Sequence, residues 1–391
     1  MNLSIVFVAN FMNHHQLPFS LKMNELTEGN YLFVAMSPLP NEQRTLGYAD
    51  MNDYEFVIKA YESNEQYELA KKKIVESDMV IFGSCPNELI SLRSDADKPF
   101  IIYSERFFKK GTYRRFIPIT RKKIYNRLLK YESHNPLVIC SSAYLPYDLK
   151  LLNANFTTYK WGYFPAVKKY DDIQKIIESK QPISILWVAR FIKWKHPEIP
   201  VKIAKRLKAN GYNFELNMIG NGERLPKIEK LIERYDLADC VHLLGSMSPE
   251  EVRNNMEKSE IFLFTSDKNE GWGAVINEAM NSLCVVVANY EVGSIPFLIE
   301  NGKNGVIYSN RCLSDLYNKI TALIDNEQKR ENLAINAYKT IFDKWNSEEA
   351  TERLFAVIES VVNGQAAKIY DDNGPCSLAE TIVPKKFGRN L

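Results

Sequence analysis

Two glutamates, Glu270 and Glu278, stand eight positions apart in Glu270-Gly271-Trp272-Gly273-Ala274-Val275-Ile276-Asn277-Glu278, a few residues after the apolar run Ile261-Phe262-Leu263-Phe264. The run reads as a buried parallel strand. The glycines read as a tight junction into a helix, with Glu270 in the loop and Glu278 two turns into the helix. Glycines at such a junction let backbone N–H groups approach a ligand, and the helix N-terminus that follows favours negative charge, so the place suits a phosphate. Two carboxylates beside a phosphate are costly unless they bind something else, and hydroxyl groups are the natural partners. A ligand carrying both phosphates and hydroxyls, such as a nucleotide sugar, satisfies every group in the segment.

Three further features sit at strand ends in the same half of the chain. Arg190 follows the strand over 185–189, and Lys195 comes five positions later. Gly220-Asn221-Gly222 follows a strand over 214–219, and Gly245-Ser246-Met247 follows a strand over 241–244. An arginine and a lysine there can neutralise a diphosphate, the arginine bidentately. Gly220-Asn221-Gly222 lacks the third glycine of a dinucleotide fingerprint, which argues against a nicotinamide cofactor. Each feature alone is commonplace; their weight comes from their order along one sheet.

The elements needed to bring them together are legible. Strands alternate with amphipathic helices at 197–207 and 223–235, and Ser248-Pro249-Glu250-Glu251 opens another helix with a capping box. Strands over 284–288 and 305–308 follow, then helix to about residue 362. Repeated strand–helix units with short connections imply a parallel sheet covered on both faces, with ligands outside the carboxyl ends of its strands. The first half shows the same alternation less cleanly, with strands at 5–8, 31–35, 79–82, 100–103 and 137–140. A polar stretch over 165–182 marks the boundary between halves.

A chain of 391 residues exceeds one ordinary core, so two domains are expected. Fifty basic residues against 48 acidic give a net charge of +2, and no apolar run is long enough to span a bilayer. Residues 1–8 read as a first strand and not as a signal peptide. The six cysteines have no paired spacing and several fall in apolar runs, which suggests reduced thiols and a cytoplasmic protein. Residues 106–130 break the near-neutral pattern. They hold ten basic residues and no acidic one, interleaved with Phe107, Phe108, Tyr113, Phe116 and Tyr125, and leave the rest of the chain at about −8. Such a stretch suits an anionic membrane surface or a polyanionic acceptor, and no nucleic-acid-binding motif accompanies it.

From residue 183 to 362 the chain resembles the donor domain of the retaining glycosyltransferases of glycosyltransferase family 4, of the bacterial surface-polysaccharide type. The two glutamates separated by seven residues, the Arg190–Lys195 pair, Gly220-Asn221-Gly222, Leu244-Gly245 and Trp345-Asn346-Ser347-Glu348 carry the resemblance. It implies an α/β chain of the GT-B fold, with two Rossmann-like, doubly wound parallel-sheet domains facing a central cleft. The expected plan is an acceptor-binding domain over 1–165 and a donor-binding domain over 166–345. A helix over 346–362 would cross back to the first domain, with an irregular tail over 363–391.

The resemblance implies roles as well. Arg190, Lys195 and Glu270 would be catalytic, the two cations stabilising charge on a departing nucleoside diphosphate and Glu270 holding hydroxyls of the sugar. Glu278 would bind ribose hydroxyls, and Gly220, Gly222, Gly245, Gly271, Trp272, Gly273 and Ala274 would complete the donor site. His14 and His15, in a loop after the first strand, and Glu105 with Arg106 are the candidates on the acceptor side. The donor would be a UDP- or GDP-sugar, with no cofactor and no metal, since the two cations replace a divalent ion. The acceptor would be a glycan or lipid-linked glycan, and the enzyme cytoplasmic, peripheral on the inner face of a membrane. Alternatives are a sugar-nucleotide epimerase or phosphorylase of the same fold, or a non-catalytic partner that binds glycan or nucleotide. The sequence departs from the family at Ala189 and His196, where glycine is usual, and at Trp272, where phenylalanine is usual and where donor specificity would be sought.

Overall fold

The computed structural model describes residues 3–41, 49–309 and 312–384. These form two compact units, one of residues 1–166 with 344–383, the other of 167–343. The first unit holds seven parallel strands: β1 (Ile5–Ala9), β2 (Tyr31–Ala35), β3 (Val57–Lys59), β4 (Met79–Phe82), β5 (Phe100–Ser104), β6 (Leu137–Cys140) and β7 (Thr158–Lys160). Their order is β3-β2-β1-β4-β5-β6-β7. β1, β4 and β6 are buried along their whole length, the mark of strands covered on both faces. β3 and β7 escape sequence reading because each is three residues long and mixed in polarity.

The second unit holds six: β8 (Ser184–Val188), β9 (Glu215–Ile219), β10 (Val241–Gly245), β11 (Ile261–Phe264), β12 (Val285–Asn289) and β13 (Val306–Tyr308), in the order β10-β9-β8-β11-β12-β13. The helix Glu198–Ala209 buries Val201, Ile203, Ala204 and Leu207 against this sheet, and Ser248 closes a capping box on Glu251 at the start of helix Pro249–Lys258. In each sheet the chain reverses direction beside its first strand, between β1 and β4 and again between β8 and β11. Doubly wound sheets open a crevice at that switch point.

Two segments are more ordered than their composition suggests. The polar stretch after residue 166 belongs to the second unit and holds a short helix, Ile173–Glu178, whose N-cap Asp172 accepts from the N–H groups of Gln174 and Lys175. Tyr170 anchors it on Tyr338. Residues 363–383, without helix or named strand, lie along β7 in the first unit. The N–H groups of Lys160, Cys376 and Ala379 donate to the carbonyls of Ser377, Lys160 and Thr158 at 2.8–2.9 Å. Arg353, on helix Ser347–Val362, holds this segment through both carboxylate oxygens of Asp372. The segment therefore covers an edge strand that would otherwise present open backbone groups. No hydrophobic period reports this, because the pairing is made by backbone.

Candidate functional site

In the second unit, the loops after β8, β9 and β10 are locked to one another by backbone. The Gly220 N–H donates to the Gly245 carbonyl at 2.7 Å, Phe191 N–H to Asn221 C=O at 2.8 Å, and Arg224 N–H to Phe191 C=O at 2.9 Å. A Cβ on Gly220 would lie 2.0 Å from the Ala189 carbonyl oxygen, and one on Gly222 would meet the Phe191 backbone at 2.7 Å. Both glycines have positive φ, 131° and 153°. Close loop–loop approach accounts for these two glycines before any ligand is invoked. Gly245 has φ 73° but open space around it.

The loop after β8 carries Arg190, exposed, and then a short helical turn Lys193–Lys195. Lys195 and Glu270 form an ion pair in which each side chain is 12 % exposed, and the Lys195 ammonium lies 4.3 Å from the centre of the Trp194 ring. Thr265, directly after β11, fixes this turn from beneath. Its hydroxyl donates to the Lys195 carbonyl at 2.6 Å and accepts from the Trp187 indole N–H at 2.8 Å.

His196 completes the clamp. It takes a left-handed backbone (φ 52°), uncommon for a residue with a side chain. Its Nδ1 lies 3.3 Å from a Glu198 oxygen and its Nε2 3.2 Å from an Asp267 oxygen. Ionised carboxylates only accept, so both ring nitrogens must carry protons. The hydrogen bond to Asp267, then that to Glu198, raises the imidazolium pKa to about 9. The sequence flagged His196 only as a departure from glycine; its part in tying the Lys195 turn to the 265–270 loop is visible only in the fold.

The segment of the two glutamates follows. Gly273 is left-handed (φ 83°), and a Cβ there would press on Phe264 at 2.9 Å. The helix therefore begins only at Val275, and Glu278 lies in its first turn, not two turns in. Burial pushes the Glu278 carboxyl up to about 7, with Arg253 drawing it back. Trp272 was expected to shape the donor pocket. Its side chain is instead buried in the unit, the indole N–H donating to Asn277 Oδ1 at 2.9 Å and the ring beside Phe297. The Ser294 hydroxyl holds the Trp272 carbonyl at 2.5 Å. Gly271 and Ala274 are both buried, Ala274 as the N-cap.

In the first unit a pocket of about 630 Å³ opens at the switch point. It is lined by Ala9 and Asn10 at the end of β1, Gly83 and Cys85 after β4, and Ser104, Glu105 and Arg106 at the end of β5, with Gln16 and Tyr163 beside them. Glu105 pairs with Lys109 and accepts the Tyr163 hydroxyl at 3.0 Å. Arg106, expected alongside it as an acceptor ligand, is 5 % exposed and spends its guanidinium on buried Asp148, 3.0 Å away. The Gln16 Oε1 is buried with no hydrogen-bond partner among the described residues. His15 stacks on Tyr163 at 5.6 Å; burial lowers the pKa of His14 to about 4, and burial together with the neighbouring His14 holds that of His15 well below the usual imidazole range. Gln16 lay in a loop the sequence marked only by its histidines. Tyr163 stands in an aromatic run with buried Trp161 and Phe164, where nothing in the sequence sets it apart.

This arrangement of strand-end loops in the second unit has known relatives. Residues 169–340 match the family Glycosyl transferases group 1. The chain is 30 % identical over 176 residues to the uncharacterized glycosyltransferase MJ1178 of Methanocaldococcus jannaschii, a match covering 45 % of this chain and 48 % of that protein. It is 28 % identical over 184 residues to the amylovoran biosynthesis glycosyltransferase AmsK of Erwinia amylovora, covering 46 % and 45 %. The chain spans about half the length of the curated relatives it matches. Over 92 % of this chain and all of the other, the fold is that of HepE of Anabaena, solved in complex with UDP, with TM-score 0.69 and 15 % identity. The GT-B architecture implied by the sequence is thus the observed fold. Among the described residues, no helix is long and apolar enough to cross a membrane.

Proposed function

We propose that this chain is a retaining, metal-independent glycosyltransferase that moves a sugar from a UDP- or GDP-sugar to a hydroxyl of a glycan or glycolipid. Its setting would be bacterial cell-surface polysaccharide synthesis at the cytoplasmic face of a membrane. One observation carries the reading: Arg190, Lys195, Gly220, Gly222, Gly245 and Glu270 all leave the carboxyl ends of neighbouring strands, β10-β9-β8-β11, at the switch point of one sheet. Phosphates and hydroxyls of one ligand engage such a set together.

In this reading the main task is to stabilise negative charge as the nucleoside diphosphate leaves, and fixed cations do so without reorganising. Arg190 and Lys195 take that part. Glu270, paired with Lys195, orients the ammonium and accepts hydroxyls of the transferred sugar. Glu278 binds the ribose hydroxyls; with its carboxyl raised to about 7, it can donate as well as accept near neutrality. The pocket of the first unit supplies acceptor-side groups, with Glu105 and Gln16 as oxygen acceptors and Tyr163 as an aromatic wall. These are the groups a sugar hydroxyl uses.

Thermal shift of the full chain with UDP, GDP and their glucose conjugates is the first test. A ligand at a hundredfold over its dissociation constant adds about 2.7 kcal/mol. A shift with one nucleoside diphosphate that disappears in Lys195→Ala and Glu278→Gln is expected. No shift with either, or activity unchanged in both variants, would overturn the assignment. Determination of the anomer formed by nuclear magnetic resonance checks retention.

A further inference from the structure

The cationic segment 106–130 is not one uniform face. Arg106 is sequestered on Asp148, and Arg127 turns inward to the carbonyls of Phe82 and Gly83 and the Cys85 sulfur. Lys109 pairs with Glu105, and Lys130 reaches the Ser91 hydroxyl at 2.8 Å. Lys110, Arg114, Arg115, Arg121, Lys122 and Lys123 remain, exposed or half-buried. Among the described residues no ion pair engages any of the six.

Between these cations stand Tyr113, Phe116, Ile119 and Tyr125, at 61, 69, 65 and 53 % exposure. They lie on the turn Thr112–Phe116 and the helix Pro118–Arg127, which are anchored from below by buried Ile124 and Leu128. Single exposed apolar side chains are ordinary. Four within so short a segment, ringed by six cations and no anion, form a patch with a purpose. The Arg115 guanidinium lies 4.5 Å from the Phe116 ring, so that cation travels with the apolar side chain beside it.

We propose that this face seats on an anionic lipid bilayer, with Tyr113, Phe116 and Ile119 entering the headgroup layer and the six cations on lipid phosphates. The charge selects the partner's sign, and the apolar wedge selects a bilayer over a nucleic acid, for which aliphatic Ile119 offers no stacking surface. The proposal deepens the reading of a transferase whose acceptor is displayed at a membrane, and it rests on that reading only for its purpose.

The test is co-sedimentation of the full chain with vesicles of phosphatidylcholine alone and of phosphatidylcholine with about a third phosphatidylglycerol. Binding to the anionic vesicles and little to the neutral ones is expected. Neutralising Arg121, Lys122 and Lys123 together to Gln should weaken it roughly a hundredfold, at about fivefold per cation. Phe116→Ser with Ile119→Ser should weaken it by roughly tenfold or more, including at high salt, where the charge contribution is screened. The UDP thermal shift serves as the control for folding and for the donor site, and both variants should retain it. Equal binding to both vesicle types, parental binding by the triple variant, or binding to single-stranded RNA with none to vesicles would overturn the proposal. A parental chain that shows the UDP shift but binds no anionic vesicles would sink this surface alone, whereas a parental chain that binds the vesicles but shows no UDP shift would sink the donor-site reading alone.

Discussion

The two units share one sheet plan but build their strand-end sites from different material. In the second unit the loops after β8, β9 and β10 are shaped by backbone, with Gly220, Gly222 and Gly245 at their contacts and the Lys195–Glu270 and His196 ion pairs beside them. In the first unit the pocket at the switch point is shaped by side chains: Gln16, Glu105, Tyr163 and Arg127 around a volume of about 630 Å³. In the proposed reading, backbone cradles suit what every donor has in common, its phosphates, and side-chain pockets suit what differs between acceptors.

The sharpest way to break that contrast is to add one carbon to the cradle. Gly220→Ala places a methyl 2.0 Å from the Ala189 carbonyl at φ 131°, so the loops must separate. About 4 kcal/mol or more of stability should be lost, read as a lower urea midpoint, together with the UDP shift. Gly245→Ala has the same handedness problem (φ 73°) with open space around it, and should cost only about 1–2 kcal/mol. Equal losses in the two variants would mean that backbone conformation, not loop contact, sets the requirement.

Next in size is the loss of charge in each unit. Lys195→Ala should lower kcat by about 10²–10³, the scale of removing one donor from a charge-stabilising site. Glu105→Gln, which keeps shape and one acceptor oxygen in the pocket of the first unit, should act mainly through KM for the acceptor, by about tenfold. A larger kcat effect from Glu105 than from Lys195 would reverse the division of labour drawn here.

A smaller effect separates the units by pH. His196 bridges Glu198 and Asp267, with Arg224 4.0 Å from Glu198 and Lys195 adjacent in the chain. Its folded pKa, about 9, lies above the usual 6.5. The bridge therefore stabilises the fold fully below about pH 6.5, and that stability is lost as pH rises through 9. Partly screened by solvent, it should amount to about 1–2 kcal/mol between pH 7 and 10. His196→Asn, which tolerates the left-handed backbone, should flatten that alkaline decline in urea midpoint; an unchanged slope would remove the clamp from the account.

The contrast between units also explains what could be read from the chain. Gly220, Gly222, Arg190 and the two glutamates were legible because glycine and charge placed directly after apolar runs are rare and positional. Gln16 and Tyr163 were not, because an amide in a loop or a tyrosine near a crossover has many ordinary uses, and only the sheet brings them together. The same holds for residues 363–383, whose pairing with β7 is written in backbone hydrogen bonds and leaves no period in the sequence. In residues 106–130 the charge was visible from the start, but which cations face solvent depended on Asp148 and on the carbonyls of Phe82 and Gly83, all distant in sequence.

Trp272 is where the sequence reading and the structure part most clearly, and it supports the smallest prediction. Standing between two glycines of the signature, it was read as a ring in the donor pocket. In the fold only its backbone belongs to that loop, while the indole packs on Phe297 and donates to Asn277. Trp272→Phe keeps an aromatic ring and gives up one buried hydrogen bond, leaving Asn277 Oδ1 without its donor. The expected cost is about 1–3 kcal/mol of stability, with the ratio of kcat/KM between UDP-glucose and GDP-mannose unchanged. If that ratio moved tenfold while stability stayed level, the ring would be reading the donor, and the division between a backbone-built donor site and a side-chain-built acceptor site would fail at the residue between its own two glycines.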